Sequence, residues 1–135
     1  VILFFGSVFS ARIEMTGKTD KEAALLNCVE AAVDKIRPEA QRQIKTRMFY
    51  PYISDSSFMA VCDDTLAVQA LKDNMPQYGV KYTHDIDKIM EINVPVVNIG
   101  TFGRDGHMLT ECVDMRQTFQ NVPNITYETI KGLLD

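Results

Sequence analysis

A chain of 135 residues has the length of one domain, and its 46% apolar and 24% charged residues exclude a disordered or fibrous protein. A net charge of -4 argues against nucleic acid or an anionic membrane as the main partner. The first apolar run, residues 1–5, is too short to span a bilayer and has no basic segment before it.

Val1 to Phe5 is β-branched and aromatic and predicts a strand. A chain that opens in mid-strand without an initiator methionine is expected to be part of something longer. Phe9, Ala11, Ile13 and Met15 alternate with polar residues, as in a half-exposed strand or extended connector, and Gly17 breaks the pattern. Thr19 followed three residues later by Glu22 is a capping box. Leu25, Val29, Ala32, Val33 and Ile36 continue it at helical spacing, which predicts a helix from Asp20 to Ile36. Pro38 disfavours helix through Arg37.

Ile44 to Tyr50 reads as a strand, with the polar turn Pro51–Ser57 after it. Asp63 and Asp64 are candidate caps for a helix through about Lys72, and Asp85 to Met90 reads as a short helix. Val94 to Ile99 reads as another strand, with Pro95 near its start or on an edge. A glycine-rich loop, Gly100 to Gly106, leads to His107, and a last helix runs from Asn124 to Leu134. The order β, α, β, α, β, α predicts a layered αβα fold with a mostly parallel sheet.

In such a fold, loops at the carboxyl ends of strands build the ligand site. One loop holds Tyr52, Ser54 and Asp55; the other holds Gly103, Arg104, Asp105 and His107. An imidazole can ligate a divalent metal while a nearby carboxylate, Asp105 or Glu111, orients it. A loop histidine is more often simply solvated, and Asp55 serves equally well as a helix cap. The cluster His84, Asp85 and Asp87 reads as solvated charge. Glycines at 100, 103 and 106 do not have dinucleotide-fold spacing, and no phosphate-loop lysine follows. A hydrolase using His107 with Cys62 or Cys112 would need residues that nothing in the sequence brings together. Cys28, Cys62 and Cys112 form neither a disulfide framework nor a zinc motif. They read as small buried thiols of a reducing, cytoplasmic compartment.

Three stretches carry a more specific signal: residues 49–59 (FYPYISDSSFM), residues 94–111 (VPVVNIGTFGRDGHMLTE) and residues 122–130 (VPNITYETI). In this order they resemble the RocB-like arginine-utilisation proteins. These are placed in the zinc aminoacylase and carboxypeptidase superfamily with acetylornithine deacetylase. The resemblance implies an α/β catalytic domain interrupted by a lid, and two zinc ions that hydrolyse an amide bond. It implies that His107 is the last zinc ligand and Glu111 the glutamate that follows it. It also implies that Ser54 and Asp55 form the turn beside the site without binding metal.

The earlier ligands of that family, a His-x-Asp and a Glu-Glu pair, have no counterpart in this sequence. Residues 1–18 would then be the end of the lid or a connector strand, and 19–135 the C-terminal part of the catalytic domain. The expected function is a share of a metal-dependent amidohydrolase or peptidase acting on an acyl-amino acid or small peptide. Alone, the chain is expected to be inactive, to bind zinc weakly and to self-associate. Arg104 or the Gly103 loop is the candidate for a substrate carboxylate. The alternative is a non-catalytic α/β binding or oligomerisation module.

Overall fold

The computed structural model describes residues 14–48, 58–62 and 64–135. The predicted strand at 1–5, most of the connector after it, and the turn carrying Ser54 and Asp55 lie outside them. The chain divides into two compact units. One holds Glu14 with the described residues between 58 and 96; the other is Met15–Met48 with Val97–Asp135.

The second unit is organised by two helices. Helix α1 spans Asp20–Ile36, the predicted range. Thr19 is its cap: the extended backbone there lets Oγ1 accept from the Glu22 N–H at 3.2 Å. The Glu22 carboxylate reaches back further than the usual box. It accepts from the Thr16 hydroxyl at 2.7 Å and the Lys18 N–H at 3.2 Å. Gly17, at φ +68°, supplies the reversal that folds residues 16–18 over the helix start. The Thr16 hydroxyl, followed by backbone N–H groups, holds the Glu22 carboxyl below its ordinary pKa. Pro38 turns the end of α1 into a single 3₁₀ turn, Arg37–Glu39.

The last helix starts earlier than the sequence suggests. The Asp114 carboxylate accepts from the Gln117 N–H at 2.9 Å and opens the helix. A π-turn, Gln117–Asn121, follows and leads into the final α-helix, Val122–Leu134, here α4. Pro123 therefore sits inside a continuous helical run. A proline there lacks a donor and crowds the preceding turn. The wider turn just upstream accommodates it, with the Val122 N–H bonding to the Gln117 carbonyl.

Helices α1 and α4 pack against each other around Val29, Ala32, Val33 and Ile125. Leu25, Ile36, Ile44 and Ile99 close the sides of this cluster. Gly132 permits a close approach, since a Cβ there would meet the Cys28 sulfur at 3.3 Å. A Lys35–Glu128 ion pair of 2.7 Å lies at the rim.

The other unit carries two shorter helices, numbered in chain order as α2 (Thr65–Asp73) and α3 (Ile86–Ile92). Asp64 Oδ1 caps α2 by accepting from the Ala67 N–H at 2.7 Å. Asn93, in the left-handed region at φ 34°, ends α3. Among the described residues of this unit, Val68, Ile86 and Ile89 are the buried apolar side chains.

The layered αβα architecture with a mostly parallel sheet is overturned. About half of the described residues are helical, and the sheet among them is one antiparallel ribbon, β1 (Gly103–Arg104) with β2 (Cys112–Val113). Residues 44–48 and 94–99 form no strand. Ile44 and Ile99 instead pack against the helical cluster. The apolar pattern of these segments reports burial of side chains, whereas a strand also requires a lateral hydrogen-bonding partner. The expectation of buried thiols is also corrected: all three cysteines are free, Cys28 is half-buried, and Cys62 and Cys112 are exposed. Among the described residues, no helix is long and apolar enough to cross a membrane.

Candidate functional site

The glycine-rich stretch folds as a β-hairpin. Gly103 pairs with Val113 and Arg104 with Cys112, leaving residues 105–111 as the loop. Gly103 is required by space: a Cβ there would stand 2.9 Å from the Cys112 carbonyl oxygen. A Cβ at Gly100 or Gly106 would meet nothing within 4 Å. The Asp105-Gly106 dipeptide, a turn signal, was the local clue to a hairpin at this place.

Two residues of the loop have positive φ, Asp105 at 58° and His107 at 64°. This region costs a side-chain-bearing residue roughly 1–2 kcal/mol. Hydrogen bonds within the loop offset that cost. The Asp105 carbonyl accepts from the Met108 N–H at 2.9 Å, and the Met108 carbonyl from the Glu111 N–H at 3.0 Å. Thr110 Oγ1 donates to the Asp105 carboxylate at 2.9 Å. The His107 N–H donates to Glu111 Oε2 at 3.0 Å.

His107 is therefore an exposed imidazole on a constrained backbone at the end of a hairpin. Glu111, expected near the histidine, meets its backbone N–H. Arg104 is exposed, and its Nε donates to the Cys112 sulfur at 3.2 Å. Gly103, Arg104, His107 and Glu111 thus share one hairpin. Ser54 and Asp55 are outside the described residues. The interactions that hold the loop, Asp105 with Thr110 and Glu111 with the His107 backbone, were missed in the sequence. They depend on the left-handed residues, for which only the Asp-Gly pair gave a hint.

A zinc site needs about four ligands converging on one point. Among the described residues, no three His, Cys, Asp or Glu side chains do so. The Asp105 and Glu111 carboxylates are engaged by their own loop. The hairpin offers one imidazole and does not by itself fit a zinc ion.

The second histidine belongs to a different environment. His84 lies among aromatic rings, 5.4 Å from Phe58 and 6.5 Å from Tyr82 between ring centroids. Burial holds its pKa below the ordinary value, and Asp85 partly opposes this. Asp85 pairs with Lys88 at 3.0 Å. The solvated-charge reading of residues 84–87 thus suits Asp85 but not the half-buried His84.

With this geometry in hand, the chain's similarities support a RocB-like relationship. It is 26% identical to protein RocB of Bacillus subtilis (strain 168) over 134 residues, 99% of this chain and 24% of RocB. An uncharacterized protein of the same organism, YqjN, is 33% identical over 86 residues, 64% of this chain and 15% of that protein. The chain thus spans about a quarter of RocB's length. No family model and no solved structure matches it.

Proposed function

We propose that this chain contributes the hairpin-borne histidine of a RocB-like, metal-dependent amidohydrolase or peptidase. Its substrate would be an acyl-amino acid or small peptide, in cytoplasmic arginine catabolism. The observation that carries this reading is the match to RocB along almost the whole chain, which takes in the hairpin and His107.

In this reading His107 holds one zinc ion, and the remaining ligands come from other parts of the gene product. Zinc, when bound, polarises a carbonyl and activates water. The chain's own contribution is to present the imidazole from a fixed backbone. Arg104, at the base of the same hairpin, is suited to a substrate carboxylate, because a guanidinium offers paired donors to such a group. The 135-residue piece alone lacks a full ligand set among its described residues and is expected to be inactive.

The test is zinc content and amide hydrolysis in the full-length gene product, with and without His107→Ala. Loss of one zinc together with activity is expected. Unchanged zinc and unchanged hydrolysis would remove His107 from the site.

A second reading, a binding or self-association module, draws on the apolar side chains this unit exposes. Leu109 is completely exposed at the loop, and Phe102, Met108, Met115 and Phe119 are exposed as well. A gene product that holds no metal, yet has a mass in light scattering that rises with concentration, would favour it.

A further inference from the structure

We infer that Glu111 is the positioning residue for His107: its carboxylate latches the loop backbone and thereby sets where the imidazole points. The inference rests on the reading of His107 as a metal ligand for its functional meaning. The latch itself is a matter of local geometry.

The ribbon beneath the loop has two residues per strand, so it cannot dictate the shape of the seven residues above it. Loop contacts must do so. The two turn bonds, Met108 to Asp105 and Glu111 to Met108, fix the path of the second half. The Thr110–Asp105 bond ties that half to the first. Among the loop contacts of the described residues, the Glu111 carboxylate acts on His107 itself, through the N–H at 3.0 Å.

The φ angle relates that N–H to the His107 Cα–Cβ bond, and the bond from the N–H to the side chain of Glu111, four residues on, closes a ring through it. At φ 64° the N–H meets the carboxylate. Relaxing φ to a negative value would carry the following residues, Glu111 among them, away from the N–H and swing the side chain relative to it. A bond from an N–H to an ionised carboxylate is among the stronger hydrogen bonds. It favours a conformation that His107 would otherwise avoid. Glu111 thus acts on the imidazole through the main chain, without touching the ring nitrogens.

The test has two arms. In this chain, hydrogen exchange of the His107 amide is followed by NMR in Glu111→Ala and Glu111→Gln. The glutamine retains an acceptor oxygen. Exchange is expected to quicken about tenfold or more in Glu111→Ala and to stay near the wild-type rate in Glu111→Gln. The helical circular dichroism should be unchanged in both. In the full-length gene product, Glu111→Ala is expected to weaken zinc binding about tenfold to hundredfold, with Glu111→Gln restoring most of it.

Unchanged His107 exchange in Glu111→Ala would overturn the inference whatever the metal does. So would a Glu111→Gln variant as impaired as Glu111→Ala. A His107→Ala protein that keeps its full zinc would instead remove the metal reading, whatever the latch does.

Discussion

Two regions of one unit are built on opposite principles. The pair of helices α1 and α4 is held by shape: apolar side chains at helical spacing, caps at the ends, a glycine at the close approach. The hairpin that carries His107 buries none of its residues between 100 and 113 and is held by hydrogen bonds within a few residues. The helices secure the unit, and the hairpin is free to specialise. Stability measurements and loop measurements should therefore separate cleanly.

The sharpest way to break the helical side is Ile125→Ala. Ile125 is 2% exposed at the centre of the cluster. Removing it should cost about 2–5 kcal/mol, read as a lowered denaturation midpoint by circular dichroism. The His107 loop hydrogen bonds should be affected only where the whole unit unfolds.

The complementary change is Gly103→Ala. The new methyl would press on the Cys112 carbonyl, a backbone atom that cannot swing aside. The ribbon should open, with NMR shifts confined to residues near 100–114. Helical stability should move by no more than about 0.5 kcal/mol. A large loss of helix would show that the two regions are not independent.

The smallest effect concerns the junction, Asp114. The Gln117 N–H, followed by the Arg42 guanidinium at 2.7 Å, holds this carboxyl below its ordinary pKa. Its folded pKa lies below the unfolded value. The contribution is thus complete above the ordinary carboxylate range and fades as pH falls through the folded pKa. Carbon-detected NMR titration of Asp114 should show the depressed value, and Arg42→Met should raise it partway. An unaltered titration in Arg42→Met would leave the backbone N–H as the whole cause.

The same contrast explains what the sequence revealed. Helix α1 was legible to the residue because its signals are local: a cap, a period and a proline. Asp64 marked a helix start for the same reason, since its carboxylate caps α2. The parallel sheet was a false inference. Val94 to Ile99 has the apolar composition of a strand, but composition says nothing of a neighbour, and Ile99 found a helix pair instead. His107 and its glycine-rich setting were visible in the sequence. The latch was not, because it depends on a left-handed backbone at a histidine, which no spacing rule predicts.

The π-turn at Gln117–Asn121 has a consequence for how this chain can change length. Each α-helical residue advances the chain by about 100° around the axis, and this turn absorbs one additional residue. It therefore takes up a residue without passing that rotation on, and keeps the hairpin in phase with the buried face of α4. Deleting one residue within it would restore an ordinary turn and leave the direction of the hairpin relative to Ile125 nearly unchanged, whereas deleting one from the α-helical stretch just before Ile125 would turn it by about 100°. An insertion at the exposed loop around Leu109 would leave that angle untouched. The chain can therefore lose one residue at this turn without redirecting the hairpin that carries His107.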